Sequence, residues 1–185
     1  MAATESEMLP LGTLAPDFAL PDAAGAEIVR LSTFAGKRAL LVMFLCPHCP
    51  YVQHVQLEVA KIGKDYAGRP LGIVAICSND AAQYPEDGPD GLRRQARLLG
   101  FAFPYCYDES QDAARAYHAA CTPDFFLFDE NRALVYRGQL DGSRPGNTVA
   151  VTGADLRRAI DSVLGGERVS PQQKPSIGCN IKWKP

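Results

Sequence analysis

The feature that most limits how this chain can fold is the stretch Leu40 to Pro50, LLVMFLCPHCP. Six large apolar residues in a row, Leu40 to Leu45, suit a strand covered on both faces. They stop at Cys46-Pro47-His48-Cys49, and Pro50 follows. Beyond it Val52, Val55, Val59, Ile62 and Tyr66 recur at spacings of three and four, the apolar stripe of a helix. Proline has no N–H and is tolerated in a helix only in the first turn. The sequence therefore predicts that Pro47 and Pro50 both lie at the helix start, with Cys46 at its N-terminal tip.

Gly68 and Pro70 stop the helix, and Leu71 to Cys77, LGIVAIC, reads as a second buried strand. Strand, helix and strand form a right-handed crossover with parallel strands. Ahead of it, Ala15 to Leu20 and Ala26 to Leu31 read as a hairpin around the turn Pro21 to Gly25. After it come a polar loop, Ser78 to Pro89, and a short helix capped by Asp90 and closed by Gly100. Phe101 to Tyr107 reads as an edge strand because of Pro104, and Gln111 to Ala120 as a short helix. Asp124 to Phe128 and Ala133 to Arg137 form a second hairpin, and Ala154 to Leu164 a last helix with Thr152 and Asp155 as a capping pair. The expected division is an arm over 1–13, one α/β domain over 14–166 and a tail over 167–185 that docks on it.

Among 185 residues the net charge is −2, so no basic excess points to nucleic acid. No apolar run approaches a membrane span, and Met1 to Pro10 has no apolar core of a secretory signal. The expectation is a cytoplasmic protein without nucleic-acid or membrane partners. Its six cysteines then read as thiols, ligands or redox groups rather than as a disulfide framework.

Two cysteines separated by two residues at a helix start can close a small disulfide. The helix dipole and the free N–H groups of the first turn stabilise a thiolate there, lowering a cysteine pKa from ~8.5 to about 3.5–7.5. A protonated His48 adds a cation. Cys46 is thus the expected attacking thiol, and Cys49, one turn further in and more buried, the resolving one. A metal site built from Cys46, Cys49 and His48 or His54 is the rival, although a closed zinc site usually takes four such ligands. Structural cysteines are the bland reading, and His54 alone reads as a surface residue. Cys77 and Cys106 read as small buried apolar groups. Thr122-Pro123, directly before a strand, is the second informative site. A cis proline there would bring Thr122 beside Cys46, with its N–H and C=O free for an extended substrate. An ordinary trans proline starting a strand is the alternative.

With the buried strand, CPHC at the helix start, the TP before a strand, the hairpin and the closing helix, the chain resembles the thioredoxin-fold superfamily over Leu14 to Leu164. APDFALPD and the insertion between Ser78 and Gly100 resemble peroxiredoxin-like branches. CPHCPYVQH, CTPDFFLFD and SIGCNIKWK are similar to a bacterial peroxiredoxin-like, thioredoxin-domain family. The resemblance implies a central mixed β-sheet flanked by helices, with an N-terminal hairpin, an inserted helix and a C-terminal tail. It implies catalysis by Cys46 and Cys49, tuning and orientation by Pro47, His48, Thr122 and Pro123, and auxiliary redox roles for Cys121 and Cys179. Cys179 would pair or exchange with Cys121 or the dithiol.

The chain also departs from these relatives. Leu45 stands where thioredoxins carry tryptophan, and Leu40 to Leu45 lacks their buried acid. Met43 stands where peroxiredoxins place a hydroxyl, and Ala119-Ala120-Cys121 where they supply an arginine. The expected function is thiol–disulfide exchange without a cofactor or metal. Its partners would be protein or small-molecule disulfides and dithiols, with an upstream thiol reductant or oxidant. Peroxide reduction, and a metal- or partner-binding module, are the alternatives.

Overall fold

A computed structural model describes residues 3–25 and 27–185. Met1 and Ala2 of the expected arm, and Ala26 at the expected start of the second strand, lie outside the described residues. The elements in order are β1 (Ala3–Glu5), β2 (Ala19–Pro21), β3 (Ile28–Arg30), β4 (Ala39–Phe44) and α1 (Pro50–Asp65). Then follow β5 (Leu71–Cys77), α2 (Pro89–Leu99), β6 (Tyr105–Tyr107), α3 (Asp112–Ala116), β7 (Cys121–Thr122) and β8 (Asp124–Phe128). β9 (Leu134–Gly138), α4 (Ala154–Gly165) and β10 (Ile177–Asn180) complete the chain.

The main sheet has the order β6-β5-β4-β8-β9. β4 pairs parallel with β5 and antiparallel with β8, so the sheet is mixed and β4 is central. Side chains alternate across a strand, and both faces of β4 are covered. Leu41, Met43 and Leu45 pack in one core with Val52, Val55 and Val59 of α1 and with Leu156 and Ile160 of α4. Leu40, Val42 and Phe44 pack in the other with Phe18, Phe34, Tyr117 and Phe126. That two-sided burial explains the unbroken apolar run. Helices on both faces of this sheet make a thioredoxin-like fold.

Several elements differ from expectation. α1 begins at Pro50 with Cys49 as its N-cap residue, so Pro47 and Cys46 precede the helix. α2 is capped by Gly88 with Pro89 in its first turn, and Asp90 lies inside it. No side chain caps α4. Instead, Asp141 Oδ2 accepts the N–H groups of Thr152 and Gly153, at 2.7 and 2.6 Å. The first strand of the expected hairpin, β2, starts at Ala19 rather than Ala15, and the helix after β6 ends at Ala116. The expected arm is tied to the tail, because β1 pairs with β10, which pairs in turn with β7. These pairings are long-range, and no local pattern in a three-residue strand announces them.

Candidate active site

The site forms where β4 and β5 end and α1 begins, the carboxyl edge of the parallel strands, where α/β sheets bind ligands. Cys46 and Cys49 are both fully buried. The expected gradient of burial between them is therefore absent. The Thr122–Pro123 peptide bond is cis. β7 lies against both thiols: Cys46 Sγ is 3.2 Å from Thr122 Oγ1 and Cys49 Sγ is 3.1 Å from Thr122 O. A third sulfur, Cys179 Sγ of β10, lies 2.8 Å from Cys49 Sγ.

The electrostatics differ from the sequence expectation. Burial first, and the neighbouring Cys49 second, push the Cys46 thiol well up. Cys49 is lowered to about 5, first by its hydrogen bond with Cys46 and then, against its own burial, by those with Cys179 and the Thr122 side chain. Cys49, not Cys46, is also the N-cap residue, at the positive end of the α1 dipole. Burial pushes Cys179 up to about 12.

His48 meets Asp87, which follows β5 in the polar loop 78–89. Nδ1 of His48 meets Asp87 Oδ2 in a short hydrogen bond, and the His48 N–H donates to Asp87 Oδ1 at 3.2 Å. Asn79 Nδ2 donates to the same Oδ2 at 2.8 Å. Tyr84 stacks on the imidazole at 4.7 Å between ring centroids. Asp87 is fully buried. The bond to Asp87 outweighs desolvation and raises the His48 pKa. His48 Nε2 is buried with no hydrogen-bond partner among the described residues. Asp87, Asn79 and Tyr84 were not foreseen. Loop residues 78–89 carry several acids, and nothing in their spacing says which one turns inward.

Other expected placements divide. Cys121 lies opposite Asn180 and Cys179 opposite Thr122. Adjacent positions in a strand point to opposite faces, so Cys121 and Cys179 cannot pair, and the Cys121 thiol instead faces Pro123 O at 3.7 Å. Pro47 O accepts from Gln53 Nε2 at 2.9 Å, which fixes the turn ahead of α1. His54 shares a hydrogen bond with Ser143 Oγ at 2.8 Å, so it does not join a metal set with Cys46. The group that comes together is Cys46, His48 and Asp87, with one donor atom from each within 4.8 Å of the others. Cys77 and Cys106 are buried, as expected of structural thiols.

A family model described as Redoxin matches residues 10–156. The chain belongs to the Redoxin family. The Redoxin span includes Cys46, His48, Cys49 and the cis proline but ends before β10. A crystal structure of an uncharacterized conserved protein from Geobacillus kaustophilus is similar over 100% of this chain and 98% of that one, with TM-score 0.98 and 52% identity. A hypothetical protein, SMc02350 of Sinorhizobium meliloti 1021, is similar over 98% of both chains, with TM-score 0.96 and 51% identity. Thiol-disulfide oxidoreductase ResA of Geobacillus kaustophilus (strain HTA426) is 28% identical over 130 residues, 69% of this chain and 68% of that protein. A putative thiol:disulfide interchange protein DsbE from Chlorobium tepidum shares the fold at TM-score 0.66 and 23% identity, over 85% of this chain and 99% of that one.

Proposed function

We propose that this Redoxin-family chain is a thiol–disulfide oxidoreductase whose Cys46–Cys49 pair cycles between dithiol and disulfide. The observation that carries the reading is the convergence of both thiols on Thr122, the residue before the cis proline. The similarity to ResA supports it. Cys46 passes its proton along its hydrogen bond to Cys49 and attacks one sulfur of a substrate disulfide. A Cys46–substrate disulfide forms and a substrate thiolate leaves. The Cys49 proton goes to that thiolate. Cys49 then attacks the Cys46 sulfur, closing Cys46–Cys49 and releasing the second substrate sulfur as a thiolate, which takes up a proton from water. An upstream dithiol resets the pair by the reverse exchange, and oxidation of a substrate dithiol is the same sequence run backwards. Protonated His48, held by Asp87, favours the thiolate form of the pair. The compartment in this reading is the cytoplasm, which cell fractionation tests.

The decisive experiment follows turnover of a small disulfide such as oxidised glutathione, with dithiothreitol as the reductant. Cys46→Ser is expected to abolish turnover, and Cys49→Ser to trap a glutathione adduct on Cys46. A Cys46→Ser protein that turns over at the normal rate ends the proposal.

Peroxide reduction is a second reading because the hydroxyl missing at Met43 is offered instead by Thr122, 3.2 Å from Cys46 Sγ. Peroxide consumption no faster than that of free thiols removes it. Cation binding by Cys46, His48 and Asp87 is the reading of another class. Zinc content of protein purified without added metal, set against a free-thiol count, tests it.

A further inference from the structure

The substrate edge of Thr122 is already occupied. In a dithiol site of this geometry an extended substrate would pair along Thr122, and here β10 does so, with Cys179 directly opposite Thr122. The fit is close. A Cβ on Gly178 would stand 1.9 Å from Thr122 O, so only glycine lets this strand lie so near. β1 holds the other edge of β10, pairing Ala3 with Cys179 and Glu5 with Ile177. Beyond the strand, the Lys182 N–H donates to Asn79 Oδ1 at 2.8 Å, and Asn79 also holds Asp87. The tail is thus tied to the carboxylate that orients His48.

The sulfur that β10 carries is placed for exchange. Cys179 Sγ lies 2.8 Å from Cys49 Sγ, and both are buried. The strand register sends Cys179 to the face of the dithiol and Cys121 to the other. Among the described residues, the sulfur within hydrogen-bond distance of Cys179 is that of Cys49, which is also the partner of Cys46.

We propose that β10 is a built-in substrate strand and Cys179 a third redox thiol, which takes over the active-site disulfide as Cys49–Cys179. The inference rests on the dithiol reading above. Starting from the Cys46–Cys49 disulfide, Cys179 gives up its proton and attacks the Cys49 sulfur. The Cys49–Cys179 bond forms and the Cys46–Cys49 bond breaks. Cys46 leaves as a thiolate and takes up a proton. One disulfide replaces another, so no external oxidant is needed. The exchange frees Cys46 for an outside partner and ties the C-terminal strand covalently to the start of α1. Attack by Cys46 on Cys49 reverses it and returns β10 to non-covalent pairing.

The test uses the full chain treated with equimolar oxidised glutathione, quenched in acid, alkylated and mapped by non-reducing peptide mass spectrometry. In the wild type, the expected result includes Cys49–Cys179-linked peptides with Cys46 alkylated. The Cys46→Ser protein is expected to lose two free thiols and to carry the Cys49–Cys179 link. A Cys46→Ser protein with glutathione on Cys49, Cys179 free, and only Cys46–Cys49 in the wild type overturns the proposal. Cys179→Ser separates this failure from that of the parent reading. If it closes Cys46–Cys49 normally while Cys46→Ser forms no internal disulfide, the dithiol reading stands and the relay falls. If Cys179→Ser never closes Cys46–Cys49, both fall.

Discussion

His48 owes its raised pKa to one buried carboxylate. Asp87→Asn removes the charge and is expected to lower the His48 pKa, read by NMR titration of the ring. Because the folded pKa of His48 is raised, its contribution to stability is complete below the unfolded value near ~6.5 and is lost as pH rises through the folded value. In Asp87→Asn that loss should disappear from urea midpoints measured across pH 6 to 9. His48→Ala leaves Asp87 buried without its cation and is expected to cost about 3 kcal/mol in the same assay. The thiol at Cys49 has the opposite sign. Its folded pKa, about 5, lies below its ordinary 9.0, so in that window the unfolded chain binds the proton and the native chain does not. Reduced wild type should therefore gain stability over reduced Cys49→Ser as pH rises from 5 to 9, by at most about 1.4 kcal/mol per unit, and lose the difference as pH falls through 5. A flat difference would mean that Cys49 holds no thiolate in the native protein.

At the scale of elements, β10 covers Thr122 and sets Cys179 beside Cys49. Gly178→Ala places a methyl group against the Thr122 carbonyl. It should cost about 2 kcal/mol, in the range of overpacked sites. It should also loosen β10, seen as faster proteolysis of the tail and faster alkylation of Cys46 and Cys49. Unchanged alkylation would show that β10 does not shield them. α1 contributes in a different way, through where it starts. Because the N-cap residue is Cys49, the second cysteine of the motif stands at the positive end of the helix dipole and the first precedes the helix.

For the whole molecule, the consequence is a potential. Stabilising the thiolate stabilises the reduced form, which makes the disulfide more oxidising. Equilibration with glutathione buffers is expected to place the Cys46–Cys49 couple above thioredoxin's roughly −270 mV, toward the roughly −120 mV of the strong periplasmic oxidant. A value at or below thioredoxin's would show that burial of Cys46 outweighs the stabilisation of Cys49.

The central fold was legible because its signals are local. An unbroken apolar run marks β4 as covered on both faces, spacings of three and four mark α1, and glycines mark the ends of α1 and α2. β5 needed nothing more than LGIVAIC between Pro70 and Ser78. The same local signals placed two cysteines at a strand–helix junction and a Thr-Pro before a strand. Where the helix begins was not legible, since proline is tolerated at either of two positions and only backbone geometry chooses between them. The contacts across the chain were decided by the tertiary structure alone. Asp87 reaches His48 because the loop after β5 folds back over the start of α1. Cys179 reaches Cys49, 130 residues away, because β10 inserts between β1 and β7. Thus the sequence by itself determined that a dithiol stands at the head of a helix on a mixed sheet. The tertiary structure decided which thiol's pKa rises and which falls, which acid supports the histidine, and that a third sulfur lies beside Cys49. Burial and hydrogen bonds across distant segments set those properties, and they exist only once the chain has closed on itself.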